Sequence, residues 1–76
     1  MFVVKFADGM FLSCNEYGEP RSMAKRPHAF LASALPLRSM ATEFAIRATE
    51  TFNEKTTIHT VREINLELAA SQDEHN

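Results

Sequence analysis

Apolar residues along this chain follow two rhythms. In residues 35–52, LPLRSMATEFAIRATETF, the residues Leu37, Met40, Ala41, Phe44, Ala48 and Phe52 recur every three or four positions. That spacing lines them along one face of an α-helix. Arg38, Thr42, Glu43, Arg47, Glu50 and Thr51 fall largely on the opposite face. Pro36 suits a first helical turn, where its missing N–H breaks no bond. Ser33 is the nearest N-cap before it. Asn53 tolerates the left-handed conformation that ends many helices. On either side of this helix the rhythm changes to two. Phe2, Val4 and Phe6 alternate in a run of β-branched and aromatic residues, and residues 10–14 read as a returning strand.

Asp8-Gly9 between them suits a two-residue hairpin turn. That register sets Phe6 opposite Phe11 and Val4 opposite Ser13. Phe2, Val4, Phe6 and Phe11 then face the helix, and Val3, Lys5, Met10 and Leu12 occupy a second, half-apolar face that is either covered by another part of the chain or left as a sticky surface for a partner. Asn15, Gly18 and Pro20 mark a loop. Residues 22–25 are compatible with one helical turn, which Pro27 stops, and residues 28–32 form a short apolar piece that carries Phe30 toward the core. Beyond a connection at 53–55, residues 56–68 read as a long strand. Ile58, Thr60, Ile64, Leu66 and Leu68 share one parity, with Arg62 as the exception. A helical reading of 61–70, with Val61, Ile64 and Leu68 as its stripe, competes with it; three Thr, two Ile and a Val in 56–64 favour the strand at the start. Residues 69–76 read as a flexible polar tail. The expectation is a single α+β domain over 1–68, β-β-α-β, with a three-stranded, largely antiparallel sheet and one helix on one face.

Seventy-six residues make one domain near the lower size limit for independent stability, and an apolar share of 45% suffices for a core. Homodimerisation is one route to more burial, and a long terminal strand at a sheet edge can pair with its own copy or with a partner's strand. The single Cys14 excludes an intramolecular disulfide and fits a reducing cytoplasm. No apolar run reaches the length of a membrane span. The net charge of −2 argues against general nucleic-acid binding. Its distribution is uneven: residues 1–47 carry six Lys/Arg against four Asp/Glu, and residues 48–76 carry two against six. No acid lies between Pro20 and Thr42, where Arg21, Lys25, Arg26 and Arg38 stand with His28. A small nucleic-acid-binding module built on this segment is therefore the alternative reading.

Chemistry is sparse. His28, His59 and His75 share no ligand-type spacing, and one cysteine makes no zinc box, so neither metal nor cofactor is expected. Cys14 has no histidine brought to it by the pattern, and no catalytic residue is assigned. Tyr17, beside Gly18, is a candidate partner anchor.

The stretch Val3-Val4-Lys5-Phe6-Ala7-Asp8-Gly9-Met10-Phe11-Leu12-Ser13 resembles the opening of small bacteriophage-encoded accessory proteins. Phe30 and Ser33 before an Ala-containing helix, and the closing Val61 to Leu68 segment, are similar as well. The resemblance implies a non-enzymatic protein that binds and inhibits or modulates a host enzyme or a defence complex, in the manner of anti-CRISPR proteins. It transfers no functional residue, and the basic loop departs from acidic, nucleic-acid-mimicking versions. The residues expected to meet a host protein are Val3, Met10, Leu12, Tyr17, Arg21, Lys25 and Arg26. A small enzyme is the remaining, third reading.

Overall fold

The first strand, β1 (Phe2–Phe6), lies inside an antiparallel sheet and is covered on both faces. The computed structural model describes residues 1–74. After β1 come β2 (Phe11–Ser13), a 3-10 turn (Pro20–Ser22), β3 (Ala24–Arg26), a second 3-10 turn (Ala29–Leu31), α1 (Arg38–Phe52), β4 (Thr56–Thr60) and α2 (Val61–Glu74). The sheet order is β3-β2-β1-β4. The α+β class holds. Among the described residues the strand count is four rather than three, and there are two α-helices rather than one.

The hairpin register differs from the expected one by a single residue. Lys5, not Phe6, sits opposite Phe11. The loop is Ala7-Asp8-Gly9: the Gly9 N–H donates to the Phe6 carbonyl (2.9 Å) and the Phe6 N–H to the Met10 carbonyl (2.7 Å). Gly9 takes φ +91°, the left-handed residue that a three-residue hairpin loop needs. The Asp8 carboxylate accepts the Met10 N–H at 2.9 Å and fixes the turn. Because side chains alternate, this slip moves all of β2 to the other face. Leu12 joins Val4 and Phe6 against Ala41, Phe44, Ala45 and Ala48 of α1. Phe11 goes to the opposite side with Val3.

The fourth strand comes from the loop. β3 pairs with β2 through Phe11–Arg26, Leu12–Lys25 and Ser13–Ala24. The Asn15 side-chain oxygen accepts the N–H groups of Tyr17 (3.2 Å) and Glu19 (3.1 Å). Ser22 Oγ accepts the Asn15 N–H (3.0 Å) and donates to the Glu19 carbonyl (2.7 Å). These local bonds turn the chain back on itself, so the turn expected at 22–25 closes two residues earlier and residues 24–26 are free to pair.

α1 begins three residues later than its sequence pattern starts. Leu35 is taken by a β-bridge to Phe2, with the Phe2 N–H donating to the Leu35 carbonyl at 2.7 Å and the Leu35 N–H to the Phe2 carbonyl at 2.8 Å. The expected cap, Ser33, instead clamps the backbone of Cys14: its Oγ accepts the Cys14 N–H (2.8 Å) and donates to the Cys14 carbonyl (3.0 Å). Leu37 is exposed at the N-cap. Asn53 ends the helix in the left-handed conformation, φ 51°.

The long strand expected over 56–68 stops at Thr60. Thr60-Val61-Arg62-Glu63 forms a reciprocal capping box: the Glu63 N–H donates to Thr60 Oγ1 and the Thr60 N–H to Glu63 Oε2, both at 3.0 Å. Two orphan donors are satisfied at once, and the helical alternative for 61–70 wins over strand propensity. α2 crosses beneath the sheet, where Ile64 (3% exposed) packs with Val3 and Phe11 over partly buried Ala29, Ala32 and Val61. Residues 69–74, expected as tail, continue this helix; 75–76 lie outside the described residues.

Gly18 marks how closely the loop lies on α1. It takes φ +63°, and a Cβ there would stand 2.5 Å from Phe44 Cε1, on a ring that is itself only 3% exposed. Gly18→Ala is expected to cost about 3 kcal/mol, combining left-handed strain with overpacking. A urea titration checks this; an unchanged midpoint contradicts the packing of the loop on Phe44.

Candidate protein-binding surfaces

The half-apolar second face of the hairpin is not available to a partner. Val3 is 3% and Leu12 1% exposed, and they lie on opposite faces of the sheet. Val3 is sealed by Ile64 of α2, and the observed register turns Leu12 away from the face expected for it and into the α1 core. Met10 is half-buried beside the turn. The remaining expected contacts are at the surface but dispersed. Tyr17 is exposed on the α1 layer, its backbone held there because Arg47 Nη1 donates to the carbonyls of Tyr17 (2.8 Å) and Gly18 (3.3 Å). Arg21 pairs with Glu19 at 2.7 Å. Arg26 is exposed on β3.

Lys25 serves the fold. Its Nζ lies 2.5 Å from Asp8 Oδ2 and 2.6 Å from Glu54 Oε1, and 4.9 Å from the centre of the Phe6 ring. Glu54 Oε2 also accepts the Asp8 N–H at 2.9 Å. One ammonium thus joins β3, the hairpin turn and the α1–β4 connection. Asp8 is held below the usual carboxylate range, first by its hydrogen bond to Lys25 and then by the Met10 N–H. Lys25 is held above the usual lysine value by Asp8 and Glu54. The basic segment is correspondingly less basic than its sequence implied: Lys25 and Arg21 are paired, and Arg38 lies 4.8 Å over the Phe2 ring.

Cys14 is half-buried and lies against the α1 core. Burial pushes its thiol above the usual value, so it is a protonated thiol at neutral pH rather than an activated nucleophile. Among the described residues no group of three His, Cys, Asp or Glu side chains is gathered to hold a metal ion, and no helix is long and apolar enough to cross a membrane.

Among the described residues, two surfaces combine exposed apolar side chains with a concavity. The first joins the Ala29–Leu31 turn to α2. A notch of about 250 Å³ is lined by Ala29, Phe30, Val61, Ile64, Asn65 and Leu68. Phe30 is 82% exposed, and its ring stacks on His28 with centroids 5.3 Å apart and planes at 8°. Leu31 and Leu68 are exposed as well. The sequence directed Phe30 inward because its neighbours are apolar. The structure instead buries part of Ala29 and Ala32 and turns Phe30 out. A 3-10 turn of three residues per cycle eclipses positions i and i+3, so Ala29 and Ala32 share the inner side and Phe30 leaves it.

The second surface is the free edge of β4 together with α1. A groove of about 380 Å³ runs between them, lined by Thr42, Ala45, Ile46, Thr49, Glu50, Thr56, Thr57 and Ile58. Comparison with protein-family models, with curated proteins and with solved structures finds no match.

The Lys25 cluster makes a pH-dependent prediction. Asp8 has a lowered value in the folded state, so its contribution to stability is present above the ordinary aspartate range and is lost as pH falls through the lowered value. Lys25 has a raised value, so its contribution is present below the ordinary lysine range and is lost as pH rises through the raised one. Lys25→Met is expected to shrink the loss of stability between about pH 7 and about pH 3. Urea midpoints at both pH values check it; parallel acid limbs for variant and wild type contradict it.

Proposed function

We propose that this chain is a non-enzymatic protein-binding modulator that engages its partner through Phe30 and the notch beside it. An aromatic ring left 82% exposed next to a preformed apolar notch is the observation that carries the reading. Such rings dominate binding energy when a partner covers them, because they bury large area with few rotamers to freeze. The partner is a protein that inserts an apolar side chain between Phe30 and Leu68 and closes over the Phe30 face. The resemblance of residues 3–13 to small phage proteins supports a phage-encoded accessory factor acting in a bacterial host cell on a host enzyme or a defence complex, in the anti-CRISPR manner.

A second reading is favoured by one observation: Arg26 is exposed two residues from the stacked His28–Phe30 pair. An aromatic platform beside a cation suits an unstacked nucleobase. Binding of a short single-stranded oligonucleotide that weakens with salt and is lost in Arg26→Ala supports this reading; no binding at low salt sets it aside.

The test of the main reading begins with affinity capture from bacterial lysate and identification of the partner by mass spectrometry. The dissociation constant is then measured with purified partner. Phe30→Ala is expected to weaken binding by about thirtyfold or more while leaving stability within about 0.5 kcal/mol. An unchanged dissociation constant, or a capture that yields no stoichiometric partner, overturns it.

A further inference from the structure

The two edges of the sheet are built differently. β3 at one edge has three residues, carries Lys25 and Arg26, and runs into Pro27. Short length, charge and proline are the usual protections against edge-to-edge pairing. β4 at the other edge is Thr56-Thr57-Ile58-His59-Thr60. It carries no Lys, Arg, Asp, Glu or Pro, and four of its five residues are β-branched.

The ladder tells which backbone groups that edge offers. The backbone of Phe2 bonds to Leu35, and that of Phe6 to Met10, both on the β2 side of β1. By alternation Val3 and Lys5 point their N–H and C=O toward β4, where they meet His59 and Thr57. The Ala7 N–H donating to the Lys55 carbonyl (3.0 Å) and the Val61 N–H to the Met1 carbonyl (3.0 Å) keep the same phase. Thr56 and Ile58 therefore point their backbone groups outward, whereas the Thr60 carbonyl, at the N-cap of α2, already accepts the first bond of that helix. The Thr60 N–H is already occupied by Glu63. The N–H and C=O of Ile58 and Thr56 have no backbone partner among the described residues.

We propose that β4 pairs antiparallel with β4 of a second copy about a two-fold axis passing beside Ile58. The strand is nearly its own complement in that register. Ile58 meets Ile58 and exchanges both backbone bonds with it. Each Thr56 N–H donates to the second lone pair of the Thr60 carbonyl of the second copy, which shares that oxygen with the first turn of its α2. Thr57, which carries no charge, faces His59, so no like charges are opposed. The sheet continues across the axis from β1 and β4 of one chain to β4 and β1 of the other. On the α1 side, Ile46, 57% exposed on the groove wall, meets the Ile58 pair at the centre. Glu50 lines the groove next to Thr49, whose hydroxyl bonds that of Thr56 at 2.9 Å, so the two-fold sets the two Glu50 residues toward opposite ends. α2 leaves β4 beneath the sheet, where its Ile64 packs on Val3 and Phe11. The notch at Phe30 lies on the α2 layer, away from this axis, and stays open in each copy.

Sedimentation velocity and amide exchange on the wild-type chain test the proposal together. The expected result is a mass of twice 8.6 kDa, and Ile58 and Thr56 amides whose exchange slows about tenfold or more as the dimer fills. Ile46→Lys, which alters an exposed side chain on the groove wall, is expected to return the mass to that of one chain. A single-chain mass at about millimolar concentration overturns the proposal. So does a dimer whose Ile58 amide still exchanges freely, which places the contact elsewhere. So does a monomer whose Ile58 amide is protected only on adding another protein, which assigns the edge to a foreign strand. If Ile46→Lys disturbs the fold, the wild-type exchange result still decides.

Discussion

The structure depends on β1 being buried twice. Val4 and Phe6 lie under α1, and Val3 lies over Ile64 of α2. A strand covered on both faces has no solvent side to relieve, so its register with β2 and β4 is held by burial as well as by hydrogen bonds. The α1 side carries most of the apolar mass, with Phe6, Leu12, Leu35 and Phe44 each almost fully buried. The α2 side is thinner among the described residues: three buried side chains, with partly buried neighbours around them. A chain of 76 residues thereby closes a three-layer arrangement, and the cost is that little apolar material remains to cover the turn at Phe30 or the edge at β4.

This arrangement relocates the candidate binding surfaces. A hairpin with one open face would meet its partner flat on, through Val3 and Leu12. With both faces sealed, what is left is lateral: a projecting aromatic ring next to a notch on one layer, and an undefended strand at one edge. The two differ in physics. Phe30 offers side-chain area and asks for a complementary apolar group. β4 offers backbone donors and acceptors and asks for another strand. The Lys25 cluster belongs to neither; it ties the hairpin turn to the α1–β4 connection, and its charges are spent within the chain.

Much of the fold was legible from periodicity. The α1 stripe of Met40, Ala41, Phe44, Ala48 and Phe52 faces the core, and Asn53 stops the helix in the conformation its side chain favours. Two errors came from local chemistry that outweighs periodicity. Asp8-Gly9 suits a two-residue loop, but Asp8 turns its carboxylate onto the Met10 N–H and the loop takes Ala7 as well, reversing β2. Thr60-Val61-Arg62-Glu63 is the pattern of a capping box, and read as such it would have ended the strand and started α2 in place. β3 was not legible, since three residues carry no period and its pairing rests on Asn15 and Ser22 folding the loop. Phe30 was not legible as exposed, because an apolar residue among apolar neighbours gives no sign of a 3-10 turn that faces it outward.

The central claim is that α2 closes the second face of the sheet. Nuclear Overhauser contacts from the Ile64 methyl groups test it most directly. Cross-peaks to the Val3 methyls and the Phe11 ring, with helical amide-to-amide contacts from Val61 onward, are the predicted result. Their absence, with cross-strand contacts running past Thr60 along an extended segment, would contradict it.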